Sequence, residues 1–140
     1  MRAAYERERR LALTDPLTGA SNRRFFVEFA QREIERLRRY GLPFSLCYLD
    51  LDNFKDVNDQ YGHSTGDDLL RQLVQALASQ VRASDLVARM GGDEFALLLP
   101  QTDAAGALAA VSKLRDAIDE TMNRADEAKG HIRSLRSLIE

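Results

Sequence analysis

Two short stretches hold the residues that could do chemistry. Asp50-Leu51-Asp52 closes one apolar run, and Gly91-Gly92-Asp93-Glu94 joins two others. Between Asp50 and Asp68 stand six aspartates and a single cation, Lys55. Like charges crowded at a strand end repel one another unless a cation lies among them or water solvates them. A divalent metal site and a solvated acidic loop are both open on this count. If the strand ending at Asp50 lies antiparallel to one beginning at Asp93, the end of the first meets the start of the second. Asp50 and Asp93 then sit side by side. Oxygen donors of this kind suit Mg²⁺ or Mn²⁺. Magnesium usually completes its shell with water and phosphate oxygens, which points to a nucleotide. Gly91 and Gly92 leave the turn without side chains, so a base or phosphate can reach the backbone. An ordinary Gly-Gly hairpin with polar ends would look the same.

The elements that must position these residues follow from periodicity. Residues 2–12 read as a short polar helix, stopped by Thr14-Asp15-Pro16. Leu17 to Asn22 is a turn, and Ser21 or Asn22 can cap a helix over 23–39. Phe26, Phe29, Ala30, Ile34 and Leu37 form its apolar stripe. Phe44 to Asp50 is a strand so apolar that both faces are expected to be buried. A second helix spans about 67–80. A hairpin of 85–90 and 94–99 follows, ended by Pro100. Asp103 can cap a helix over 103–119, with Ala107, Leu108, Val111, Leu114 and Ile118 inward. Residues 121–139 also read as helical, with Ile132, Leu135, Leu138 and Ile139 as a stripe.

Composition bounds the class. The chain has 140 residues, of which 44% are hydrophobic and 30% charged, so one folded domain with a real core is expected. The net charge of −2 argues against a binder of nucleic acid. It hides an asymmetry: residues 1–39 carry ten Lys/Arg against six Asp/Glu, and residues 40–140 carry ten against sixteen. The lone Cys47 can form no internal disulfide and reads as a buried thiol, which suits a reducing, cytoplasmic setting. No apolar run approaches the ~18 residues of a membrane span. His63, in a glycine-bounded loop, reads as a surface or loop-packing residue rather than a ligand.

Met90-Gly91-Gly92-Asp93-Glu94-Phe95, preceded by Arg89, resembles the signature of the GGDEF-domain diguanylate cyclases. Asp15-Pro16-Leu17-Thr18-Gly19 with Asn22-Arg23-Arg24 is similar to that family's entry motif. Asp50-Leu51-Asp52-Asn53-Phe54-Lys55-Asp56-Val57-Asn58-Asp59 resembles its first-strand motif. Tyr61-Gly62-His63-Ser64-Thr65-Gly66-Asp67 resembles the loop that follows. Four motifs in order identify the chain as a member.

The resemblance implies an α/β (α+β), nucleotidyl-cyclase-like fold: a ferredoxin-type central antiparallel sheet surrounded by helices. It implies condensation of two GTP to cyclic di-GMP and two pyrophosphates in a Mg²⁺-dependent homodimer. Carried over residue by residue, Asp50 and Asp93 would ligate Mg²⁺ (or Mn²⁺), with the Leu51 carbonyl helping. Glu94 would assist the metal or the deprotonation of a 3′-hydroxyl. Asn58 and Asp67 would hydrogen-bond the guanine edge. Lys55 and the backbone amides of Asn53 and Phe54 would hold the β- and γ-phosphates, beside the bare Gly91 and Gly92. Asp67 could instead cap the 67–80 helix, and Lys55 could merely offset the acidic loop. Arg82-Ala83-Ser84-Asp85 resembles the family's inhibitory product site, where arginine forks onto phosphate or guanine; a helix-end ion pair is the alternative. Residues 1–13 would be a linker helix from an upstream sensor domain, and 14–140 the GGDEF domain. A membrane anchor could belong to a longer parent protein, with no direct membrane contact by this domain.

The chain also departs from the family. After the helix over 103–119 the family usually has a strand reading like Val-Thr-x-Ser-Ile-Gly-Val-Ala. Here Thr121-Met122-Asn123 runs directly into Arg124-Ala125-Asp126-Glu127-Ala128, so the domain is shortened near 120–130. The lost strand would neighbour the Asp50 strand and leave it an unpaired edge. Lys129 and Arg133, four apart, could stand in for the family's phosphate-binding pair or have no such part. The intact Asp50, Asp93 and Glu94 favour an enzyme. The missing strand favours a catalytically impaired module that binds GTP or cyclic di-GMP and signals through a partner.

Overall fold

A five-stranded sheet carries the domain, built on an antiparallel pair that brings the two acidic stretches together. The computed structural model describes residues 2–52, 54–129 and 138–139. In chain order the elements are α1 (Arg2–Leu13), β1 (Ser21–Asn22), α2 (Arg23–Tyr40), β2 (Phe44–Asp50) and α3 (Phe54–Tyr61). They continue with α4 (His63–Gln80), β3 (Leu86–Arg89), β4 (Glu94–Pro100), α5 (Ala104–Lys129) and β5 (Leu138–Ile139). The sheet order is β1-β3-β4-β2-β5; all neighbours are antiparallel except β1 and β3, which are parallel. The mixed fold with a central sheet flanked by helices is the one expected from the motifs.

The register sorts the strand residues onto two faces, because successive side chains alternate. On one face Cys47 and Leu49 of β2 meet Leu97 and Phe95 of β4, and this face packs on α4 and α5. Leu70, Leu73, Leu77, Leu114 and Ile118 are all sealed there. Cys47 is a buried free thiol, and that burial pushes its pKa up. On the other face Leu86, Ala88, Ala96 and Leu98 lie under Phe26 of α2. Asn22 caps α2 by accepting from the Phe25 amide, and Gly41 ends it in a left-handed conformation (φ 67°) that glycine takes freely.

Several expectations fail for identifiable reasons. β2 is not buried on both faces: Leu46 is 58% and Tyr48 49% exposed. α2 lies against β1, β3 and β4 and leaves that side of β2 open. Within α2, Ile34 and Leu37 are exposed, and Glu33, ion-paired to Arg36 at 3.5 Å, is covered instead. At about 1.5 Å per residue the helix outruns the small sheet patch beneath its first half, where Phe25, Phe26, Phe29 and Ala30 pack. Leu108 is 72% exposed because the packed stripe of α5 steps through Ala110, Val111, Leu114, Ile118 and Met122. Leu108 lies about 160° around the helix from Ala110.

The elements differ too. α3 is an unforeseen helix, and α4 begins at His63, ahead of the expected 67. β1 was read as part of a turn. The helix expected over 121–139 is, through Lys129, a continuation of α5, and Leu138–Ile139 pairs as a strand with β2. Ile132, Arg133 and Leu135 lie outside the described residues. β5 meets β2 only at Leu49 and Asp50, so Phe44–Tyr48 has no strand partner on that side among the described residues.

The contrast within α5 gives a direct check. Leu114→Ala should cost about 2–5 kcal/mol in denaturant unfolding. Leu108→Ala should stay within about 0.5 kcal/mol of the parent chain.

Candidate active site

The β2–β4 register builds the acidic centre. Asp50, last in β2, pairs with Glu94, first in β4. One residue beyond, the Leu51 amide donates to the Asp93 carbonyl at 3.1 Å. The turn closes when the Met90 amide donates to the Glu94 carbonyl at 2.8 Å and the Gly91 amide to the same oxygen at 3.3 Å. Asp50, Asp93 and Glu94 are thus gathered at one sheet end, as the antiparallel reading required. Neither Gly91 nor Gly92 takes a positive φ. Glycine here supplies a bare surface: a Cβ added at Gly92 would meet nothing within 4 Å.

Negative charge gathers at this end. Desolvation by the surrounding chain and the neighbouring charges of Asp93, Glu94 and Asp52 push the exposed Asp50 carboxyl above its ordinary value, opposed by the Leu51 amide. Glu94 takes a hydrogen bond from the Tyr48 hydroxyl at 2.7 Å, and that bond raises the phenol pKa. No three carboxylate, imidazole or thiolate groups converge into a metal cage among the described residues. A magnesium–nucleotide site does not need such a cage, since one or two carboxylates plus phosphates and water suffice. The all-oxygen donor set and the crowding that raises Asp50 therefore fit a divalent cation.

A second cluster follows directly in the chain. α3 carries a buried Phe54, an exposed Lys55 and Asn58. Asn58 Oδ1 is buried and has no hydrogen-bond partner among the described residues. It abuts Gly66 of α4, where any Cβ would collide with the Asn58 side chain. The half-buried Asp67 comes next. Gly62 is the N-cap of α4, so Asp67 sits in the second turn and does not cap the helix. Leu51 has a buried side chain, which leaves its carbonyl as the group it could offer. Asn53 lies outside the described residues, as does Arg133. His63 is exposed at the start of α4.

Arg82 and Asp85 belong elsewhere. They are paired to each other at 3.0 Å, and Arg82 also donates to the Pro100 carbonyl and to Thr102, each at 2.8 Å. Pro100 is the far end of β4 from Glu94, about 20 Å away at the rise of a strand. Clefts of about 420 and 480 Å³ both include this pair in their walls.

Two site-building interactions were missed from sequence. Arg89 donates to both carboxylate oxygens of Asp15 at 3.3 Å, to the Gly91 carbonyl at 3.2 Å and to the Gly92 carbonyl at 2.9 Å. Asp15 in turn accepts from the Thr18 amide at 2.9 Å and hydroxyl at 2.7 Å. Tyr48 was the other omission. Its position two residues before Asp50 on a strand puts both on one face, a spacing that could have revealed it.

Residues 12–135 match the family described as "Diguanylate cyclase, GGDEF domain", and the chain belongs to that family. It is 40% identical over 111 residues to diguanylate cyclase DosC of Escherichia coli, covering 79% of this chain and 24% of that protein. It is 43% identical over 105 residues to the response regulator PleD of Caulobacter vibrioides, covering 75% and 23%. The chain thus spans about a quarter of the length of these curated relatives. Among solved structures, the coiled coil and GGDEF domain of DgcB from Caulobacter crescentus, in complex with c-di-GMP, superposes with a TM-score of 0.81. That match is 31% identical and covers 86% of this chain and 63% of that one. Diguanylate cyclase SiaD of Pseudomonas aeruginosa, in complex with its activator SiaC, gives 0.76 at 42% identity, covering 84% and 45%. No helix among the described residues is long and apolar enough to cross a membrane.

The Asp15 link predicts a pH response. Burial would raise the Asp15 pKa, but the Thr18 hydrogen bonds and Arg89 outweigh it and hold the carboxyl below its ordinary value. A depressed carboxylate stabilises the fold above its unfolded pKa and loses that contribution as pH falls through its folded value. Asp15→Asn should therefore cost on the order of 2 kcal/mol at neutral pH. In denaturant titrations the gap to the parent chain should narrow below about pH 4.

Proposed function

We propose that this domain condenses two GTP molecules into cyclic di-GMP, releasing two pyrophosphates, in a homodimer that closes one nucleotide from each subunit into a shared centre. The observation that carries the reading is the register pairing of Asp50 with Glu94, which gathers three carboxylates with only oxygen donors. Each 3′-hydroxyl attacks the α-phosphorus of the opposite nucleotide. An O–P bond forms as the bond to the leaving pyrophosphate breaks, and the hydroxyl proton goes to a base. Bound Mg²⁺ or Mn²⁺ would supply charge neutralisation at the attacking and leaving oxygens.

This chain's own residues do the rest. Asp50, Asp93 and the Leu51 carbonyl hold the cation, and Glu94 serves the cation or accepts the proton. Asn58 and Asp67 read the guanine edge: the orphaned Asn58 oxygen awaits a donor, and a carboxylate accepts from the two N–H groups that guanine has and adenine lacks. Lys55 and the amides of Asn53 and Phe54 bind the outer phosphates, with Gly91 and Gly92 giving them access. Arg82 and Asp85 would bind the product away from the centre, opening their mutual ion pair to do so. α1 would be the end of a linker helix through which an upstream sensor domain sets dimer geometry.

A second reading is favoured by the thin cover of β2, where β5 pairs at two positions only. In it the domain binds cyclic di-GMP at Arg82 and Asp85 and signals without catalysis.

Incubating the purified chain with GTP and Mg²⁺ at high protein concentration, then separating nucleotides, decides between them. Cyclic di-GMP should form. Asp50→Asn and Asp93→Asn should each lower turnover by at least about 100-fold. Arg82→Ala should relieve inhibition by added product. No product, together with cyclic di-GMP binding that Arg82→Ala abolishes, would establish the module instead.

A further inference from the structure

Tyr48, Asp50, Glu94 and Ala96 share one face of the β2–β4 ladder, with Tyr48 opposite Ala96 and Asp50 opposite Glu94. The methyl group of Ala96 leaves the tyrosine ring room to lean diagonally, and its hydroxyl donates to Glu94 Oε2 at 2.7 Å. The second oxygen, Oε1, lies beside Gly91, 3.4 Å from where a Cβ on that residue would stand. Glu94 is therefore fixed by one oxygen and turned with the other toward the glycine turn.

Packing does not explain a tyrosine here, since about half of it is exposed, although Arg23 at the start of α2 lies near enough to act on its hydroxyl. Charge does not explain it either. A lysine or arginine would neutralise Glu94 and compete with a divalent cation, whereas a phenol donates a hydrogen bond and adds no charge.

We propose that Tyr48 is a positioning residue for the cyclase reaction: its hydroxyl holds the Glu94 carboxylate so that the free oxygen faces the reacting groups at the Gly91–Gly92 turn. The inference rests on the cyclase reading of the site. It holds whether that free oxygen serves the cation or takes the 3′-hydroxyl proton.

The test compares the whole chain with Y48F, Y48L, E94Q and the double variant Y48F/E94Q. Two quantities are read: the rise in melting temperature caused by Mn²⁺ alone, and kcat and KM for GTP. Y48F keeps the ring, so its metal-free melting should match the parent. Its kcat should fall about 10-fold with KM little changed, the pattern of a lost transition-state interaction. Its Mn²⁺-induced rise should change in the same direction as that of E94Q. Y48L should fall with Y48F. Adding Y48F to E94Q should cost nothing more in either quantity, because Tyr48 acts only through Glu94. The inference is overturned if Y48F matches the parent in both readouts, if Y48F stays active while Y48L does not, or if the Y48F and E94Q losses multiply. A parent chain with no Mn²⁺ response and no product would instead sink the cyclase reading itself.

Discussion

One guanidinium ties the entry loop to the Gly91–Gly92 turn. Arg89 spends its fork of donors on the two oxygens of Asp15 and on the carbonyls of Gly91 and Gly92. Two adjacent glycines lose more conformational freedom on folding than any other pair would. A turn built from them needs an outside anchor to hold one shape, and a planar, always-charged group with several donors is suited to it. Asp15 is itself immobilised by Thr18 and by backbone bonds that close its own loop, from its amide to the Ala20 carbonyl at 2.7 Å and from the Gly19 amide to its carbonyl at 2.9 Å. The same loop leads into β1, which pairs with Arg89 itself. The access that Gly91 and Gly92 offer is thus compatible with a fixed geometry.

Against that frame the sheet end accumulates negative charge that the domain does not neutralise. Asp50, Asp93 and Glu94 are forced together by a ladder whose seven residue pairs leave no freedom of register. A slip of one residue would exchange the two faces of β4, sending Leu97 and Leu99 toward α2 and Leu98 toward α4 and α5. The repulsion is tempered locally by hydrogen bonds, from the Leu51 amide to Asp50 and from the Tyr48 hydroxyl to Glu94. An arrangement of crowded carboxylates is what a cation-dependent nucleotide site requires. The buried, unpartnered Asn58 oxygen is the same kind of deficit in hydrogen-bonding terms.

Among the described residues the outer edge of β2 is covered only beside the site. β5 reaches β2 at Leu49 and Asp50, beside the carboxylates, while the rest of that edge is open among the described residues. Leu138 and Ile139, expected to be helical, pair there as a strand instead. A strand satisfies the ladder's backbone groups and a helix cannot.

Sequence alone marked helices over 2–12, 23–39 and 103–119, the β2 strand and the hairpin, and it brought Asp50 beside Asp93 on the condition that their strands pair antiparallel. The elements follow from local rules, hydrophobic period and turn residues, whereas β2 and β4 are not joined by a turn and their pairing is a long-range one. It also marked Asn58 and Asp67, though not that a glycine contact joins them. Tertiary structure alone decided which faces are covered. Ile34, Leu37, Leu46 and Leu108 satisfy the apolar pattern, yet each faces solvent because no neighbouring element reaches it. It alone decided that Leu138–Ile139 joins a sheet and that Arg89 finds Asp15 across 74 residues of chain. Periodicity reports which residues could be buried along one element, but coverage and long-range pairing depend on where the other elements end.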